Sequence, residues 1–129
     1  MGRLRPELLE RCERFADRGL ALALTLQRKR VFNRAVDQVV GCFTSVGANV
    51  FEADEAMSRK DFCKSLTIAV KEANEARFWV RRAKANQWVA PSRLPSLEAE
   101  AMELKRLLGA IVLRTKQSDA KAMRSGTRG

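Results

Sequence analysis

Two groups of cations are the side chains in this sequence best placed to do chemistry. Arg28, Lys29, Arg30 and Arg34 form the first, and Arg77, Arg81, Arg82, Lys84 and Arg93 the second, with no acidic residue between Arg77 and Arg93. Guanidinium and ammonium groups at that density suit anions, above all phosphate. No acid–base apparatus accompanies them, because the chain has neither histidine nor tyrosine. Their absence removes His-based triads, Cys–His pairs, imidazole zinc sites and the Glu-x-x-His motif of di-iron bundles. The chain therefore reads as a non-enzyme with no cofactor and no metal.

One carboxylate pair needs weighing against that reading. Glu72 and Glu75 lie three residues apart on one helical stripe with Ile68 and Trp79, a spacing that suits an acid/base or metal pair. Lys71 and Arg77 are near enough in sequence to neutralise them, and no third ligand type is evident. A salt-bridged structural role is the expected one.

The overall charge agrees with an anionic partner. Lys and Arg number 25 against 15 Asp and Glu, a formal net charge of +10 in 129 residues. Such an excess favours nucleic acid over an acidic protein or a lipid surface; RNA before DNA is the leading expectation. Phe78, Trp79 and Trp88 are the few aromatics among the basic residues, so base stacking and sequence-specific readout are weak signals. A merely soluble basic protein is the bland alternative.

The elements that must position these cations are helices. A hydrophobic share of 46% with three prolines suits one globular domain with a real core. Apolar residues recur three and four apart throughout, which is helical and not strand patterning. The first helix is predicted over residues 7–26, with Pro6 at its entry, a seam of Leu8, Cys12, Phe15, Gly19, Leu22 and Leu26, and Glu7, Glu10 and Glu13 at its amino end. The second is predicted over residues 31–57, with the seam Phe32, Val36, Val39, Phe43, Val46, Val50, Ala53 and Met57. Gly41 and Gly47 inside it each cost roughly 1 kcal/mol against alanine. At Gly47, beside the seam, close approach of a neighbouring helix is the expected return.

Ser58 reads as the cap of a third helix over residues 59–88, with Asp61 three residues on. Its seam of Phe62, Leu66, Ala69, Ala73, Ala76 and Val80 is rich in alanine, so helices should pack closely along it. The flanks carry Ile68 and Trp79 on one side and Phe78 on the other. Phe78 and Trp79 cannot share one narrow core, so Ile68, Phe78 and Trp79 are expected at a subunit interface; contact with the adjacent helices of the same chain is the alternative. Pro91 and Pro95 break the chain, Ser96 is expected to cap a fourth helix with the seam Leu97, Ala101, Leu104, Leu108, Ile111 and Thr115, and periodicity fades after about Lys116. Residues 1–117 thus read as an all-α, antiparallel up-down-up-down four-helix bundle, and residues 118–129 as a flexible basic tail with Lys121, Arg124 and Arg128.

That topology gathers both cation groups at one pole, with Glu52, Asp54, Glu55 and Asp61 at the other. Cations at the carboxyl ends of helices one and three suit the helix dipole. Arg30 and Arg34, expected at the start of helix two, do not, and an anionic ligand is the simplest reason for them. Cys12, Cys42 and Cys63 fall in apolar stripes and read as buried thiols of a reducing compartment. No secretory signal is visible and the apolar run at residues 20–26 is too short to span a bilayer, so a cytoplasmic location and no membrane partner are expected.

The pattern Ser45-Val46-Gly47-Ala48-Asn49, then Glu52-Ala53, Ser58, Asp61-Phe62, Leu66-Thr67-Ile68, Lys71-Glu72-Ala73, Glu75 and Phe78-Trp79-Val80, resembles a known family. These are the bacterial four-helix-bundle proteins first noted in intervening sequences of 23S ribosomal RNA genes, related to the accessory variability determinant of diversity-generating retroelements. The motif covers about a third of the chain directly. The resemblance implies a cytoplasmic, non-enzymatic homo-oligomer, a pentameric barrel on the pattern of the retroelement relatives, with a basic surface for nucleic acid and for a reverse transcriptase. It places Ser45, Asn49 and Glu52 at the family's polar positions, where they are expected to form a structural cluster that fixes helix register. A protein-interaction or scaffold module without specific nucleic-acid binding is the competing function.

Overall fold

The structure is a computed structural model that describes residues 3–126. It contains α1 (Pro6–Arg28), α2 (Asn33–Asp54), α3 (Arg59–Ala85) and α4 (Leu94–Gly126), with a short 3-10 turn at Pro91–Arg93 before α4. No strand occurs among the described residues. Arg81 of α3 meets Glu98 of α4 at one end of the pair and Arg59 meets Asp119 at the other. These two helices therefore run antiparallel. Arg11 and Arg18 of α1 reach Glu100 and Ser96 of α4 in the same opposed sense. The result is the up-down four-helix arrangement that the seams require.

Phe15 and Phe43 stack in the middle of α1 and α2, with ring centroids 4.7 Å apart. Around them lie Cys12, Leu26, Val39, Val46 and Val50, then Leu66 and Val80 from α3 and Leu94, Leu104 and Leu108 from α4, all essentially without solvent contact. Ala69, Ala73, Ala76 and Ala83 are buried along α3, so the alanine seam is the packing face. At Gly47 the α1 backbone comes close, as expected: a Cβ there would lie in van der Waals contact, 3.5 Å, with the Cys12 carbonyl. Gly19 makes room for a side chain instead, since a Cβ there would overlap the Phe43 ring.

Helix ends differ most from expectation. α1 runs two residues further and stops at Arg28 with neither glycine nor proline. The Arg30 N–H donates to the Gln27 carbonyl and the Val31 N–H to the Leu26 carbonyl, both at 3.0 Å, which is the Schellman closure. α3 ends identically: Gln87 donates to Lys84 at 3.1 Å and Trp88 to Ala83 at 2.9 Å. The closure requires a left-handed residue in each turn, and Arg30 (φ 58°) and Gln87 (φ 55°) supply it. Val31 and Trp88 then fold back onto the core.

α2 is shorter than its pattern. Phe32 is 76% exposed and Met57 94% exposed, so neither belongs to the seam, because both lie outside the helix. Asp54, at the last turn, accepts the amides of Arg3 and Leu4 at 2.7 Å each and so ties down the segment before α1. The Ser58 hydroxyl accepts the Asp61 amide at 3.1 Å, as its position predicts. α4 begins at Leu94, two residues before Ser96, since Pro95 is tolerated in a first turn whose amides have no helical partner.

α4 also continues to Gly126 where fading periodicity predicts an end near Lys116. Its last turns have no neighbour demanding an apolar stripe, yet they contain good helix formers and no breaker before Gly126. Arg59 pairs with Asp119 there. Of the tail cations, Lys121 and Arg124 are exposed on this helix, and Arg128 lies outside the described residues.

Candidate nucleic-acid interface

The α1–α2 turn and the α3–α4 connection do meet at one pole, where Arg28 and Arg93 line a single groove. Arg28, Lys29, Arg30, Arg34, Lys84 and Arg93 are all exposed, and none has a carboxylate partner among the described residues. The remaining three cations are engaged. Glu98 of α4 lies 3.7 Å from Arg77 and 3.2 Å from Arg81, and its own side chain is 16% exposed. The Arg82 guanidinium stands 5.6 Å from the centre of the Phe78 ring. The run free of acidic residues in sequence thus acquires one in space. An antiparallel register places Glu98, one turn into α4, opposite Arg81, one turn before the end of α3, and that register was the signal available.

The electrostatic account of Arg30 also changes. It belongs to the carboxyl end of α1, not to the start of α2, so its charge is favourable to the α1 dipole. Its backbone is the unfavourable part, since a left-handed conformation costs a residue with a Cβ about 1 kcal/mol. Arg34 does sit in the first turn of α2, where positive charge is mildly disfavoured. That turn carries no acidic residue and Phe32 gives it no side-chain cap.

The charge is less lopsided along the rod than expected. Lys60, Lys64, Lys71 and Lys116 line a shallow cleft between α3 and α4 towards the other pole, beside Thr67 and Cys63. Lys60, Lys64 and Lys71 share one face of α3, and their four- and seven-residue spacing is the signal of that stripe in the sequence.

Ile68 and Phe78 leave apolar surface exposed, Phe78 to 52%. Trp79 instead packs against the chain's own core and makes a T-shaped contact with Phe78, with centroids 5.2 Å apart. In the polar set, the Asn49 amide donates to the Ser45 carbonyl at 2.9 Å and to its hydroxyl at 3.0 Å. Glu52 is exposed one turn on and takes no part in those bonds. Glu72 and Glu75 are half-buried and have no ion pair among the described residues, contrary to the expected salt bridges, because Arg77 turns to Glu98 instead. Burial pushes the Glu72 carboxyl above its ordinary value, Glu75 adds to the rise and Lys71 opposes it.

Burial also pushes the thiols of Cys12 and Cys42 up to about 12, so neither is a nucleophile near neutral pH. Among the described residues no group of three or more Cys, Asp or Glu side chains is placed to hold a metal ion. No helix there is long and apolar enough to cross a membrane. A surface of unpaired cations on a rigid helical frame can hold an extended anion.

Comparison with known proteins agrees on the scaffold. A crystal structure of a protein of unknown function from the S23 ribosomal protein family of Bacteroides thetaiotaomicron VPI-5482 superposes with a TM-score of 0.75 at 30% identity, over 81% of this chain and 94% of that one. No curated protein matches the sequence. Residues 7–110, which run from the start of α1 to the middle of α4 and include both turns of the basic pole, match the 23S rRNA-intervening sequence proteins, and the chain belongs to that family.

Proposed function

We propose that this protein is a non-enzymatic, cytoplasmic adaptor that holds structured RNA or an RNA–DNA hybrid against its basic pole and assembles with copies of itself. One observation carries the reading. Arg30 occupies a left-handed position at which glycine would be less strained, and its side chain is exposed and unpaired. Gln87 adopts the same conformation, so it is the exposed, unpaired charge of Arg30 at the pole, and not its backbone alone, that points to an anion. Arg34 supports the same conclusion, since it sits where the helix dipole disfavours a cation. Arg28, Lys29, Lys84 and Arg93 complete the surface, with Arg77, Arg81 and Arg82 behind it.

Repetition of that pole about a symmetry axis makes a continuous basic face, and a pentameric barrel is the proposed form, closed through Ile68 and Phe78. The same surface serves a reverse transcriptase that works on the bound nucleic acid, in the manner of a retroelement accessory subunit. Binding of a hairpin RNA by fluorescence anisotropy tests the nucleic-acid reading. The triple variant Arg30→Glu, Arg34→Glu, Lys84→Glu is expected to weaken it by about tenfold or more; unchanged binding removes the proposal. Sedimentation equilibrium tests the assembly, and a monomer removes the ring.

A second reading draws on the exposed ring of Phe78, packed against Trp79, and on the exposed Ile68 along the same helix. There the chain is a scaffold whose apolar flank docks another protein, with no specific affinity for nucleic acid. Assembly without RNA binding favours it.

A further inference from the structure

α1 and α4 pack together much less than the consecutive helices do, and at the basic pole they leave a groove of about 460 Å³. Leu22, Leu24, Val89, Leu94 and Leu97 form its apolar lining. Leu24 is 52% exposed, and Leu20 one turn earlier is also exposed, so α1 presents an apolar ridge to water along this side. Arg18, Arg28 and Arg93 stand around the opening. Arg18 donates to the Ser96 hydroxyl at 3.2 Å, and none of the three has a carboxylate partner among the described residues. No acidic and no aromatic residue lines the groove.

We infer that this groove is an interaction surface for an acidic amphipathic helix of a partner protein. This goes beyond the nucleic-acid reading, although Arg28 and Arg93 serve both. The shape fits because two antiparallel helices that fail to close leave a trough into which a third helix sets a ridge of side chains. The floor fits because branched aliphatic side chains favour leucine-like anchors and offer bases nothing to stack on. The charge fits because Arg18 and Arg28 are ten residues apart on α1, about 15 Å along the axis, which matches carboxylates three turns apart on the incoming helix. Carboxylate–arginine pairs at such a rim set orientation and partner choice.

The test uses the full chain and a dye-labelled peptide of about five turns, with leucines three and four apart and glutamates on the flanks. Control peptides replace the glutamates by lysine or the leucines by serine, and a hairpin RNA is titrated in parallel. Saturable binding of the acidic amphipathic peptide alone is expected. Leu24→Ser or Arg18→Glu should weaken it by about tenfold or more. Because Leu24 and Arg18 are exposed, these variants should keep the wild-type helical circular dichroism. Leu24→Ser, which adds no charge beside Arg28, should leave RNA affinity unchanged. Absence of peptide binding, equal binding of the controls, or indifference to both substitutions overturns the inference. Parallel loss of peptide and RNA binding in Leu24→Ser reassigns the groove to nucleic acid. Dissociation of an oligomer by Leu24→Ser reassigns it to a second copy. The RNA result stands by itself, so failure here and failure of the nucleic-acid reading are distinguishable.

Discussion

Arg30 and Gln87 hold equivalent places in two different turns at the same pole, each a residue with a Cβ held in the left-handed region, at φ 58° and 55°. Both close a helix by the same pair of backbone bonds. Glycine at either position should relieve the backbone, so Arg30→Gly and Gln87→Gly should each stabilise the fold by about 1 kcal/mol. Their effects on RNA should differ: Arg30→Gly weakens binding and Gln87→Gly does not. Urea unfolding together with anisotropy measures both. Equal RNA affinity in the two variants would show that Arg30 is not retained for its charge.

The contact between Gly19 and Phe43 sets the spacing of α1 and α2. A methyl at Gly19 falls within 2.5 Å of three Phe43 atoms, so the ring or the helix must move. Gly19→Ala should destabilise by about 1–3 kcal/mol despite alanine's better helix propensity. Gly41 is the control, since nothing lies within 4 Å of its would-be Cβ. Gly41→Ala should stabilise by about 0.5–1 kcal/mol. Thermal melts of the two variants shifting in opposite directions would bear this out.

Glu72 makes stability depend on pH in the less usual direction. Its folded-state pKa lies above the ordinary 4.5, so the folded protein binds that proton more tightly than the unfolded chain does. Above the raised value the charged carboxylate disfavours folding. As the pH falls through it the penalty is lifted, and it is gone once both states are protonated. Glu72→Gln should therefore melt higher than the natural protein at pH 7, with the difference vanishing by about pH 4. A difference that persists there would assign the effect to packing.

Glu98 restrains two of the cations at the pole through its contacts with Arg77 and Arg81. Glu98→Gln should release them and tighten RNA binding at low salt, steepening the log–log salt slope by about 0.7–0.9 for each new phosphate contact. If affinity falls instead, Glu98 orients the arginines for binding and does not compete with it.

The seams made the helices legible because burial imposes its period on the sequence, and Phe15, Phe43, Val46, Leu66, Ala73 and Leu104 all lie where their spacing put them. Helix ends were less so. The Schellman turn at Arg30 carries no glycine to announce it, and the last turns of α4 have no neighbour to imprint a period. Ser58 was readable because a cap needs a particular side chain. Partners between helices were hidden for a different reason. The pairing of Glu98 with Arg81, the bidentate contact of Glu100 with Arg11 at 2.8 Å, and the hold of Asp54 on the amides of Arg3 and Leu4 depend on register, which composition does not contain.

Salt dependence of hairpin RNA binding tests the central claim most directly. With Arg28, Lys29, Arg30, Arg34, Lys84 and Arg93 facing phosphate, log affinity should fall linearly with log salt, with a slope of about −4 to −5, and the Arg30→Glu, Arg34→Glu, Lys84→Glu variant should lose about half of that slope or more. Binding that ignores salt, or a slope left intact in the variant, would contradict the basic pole as a polyanion site.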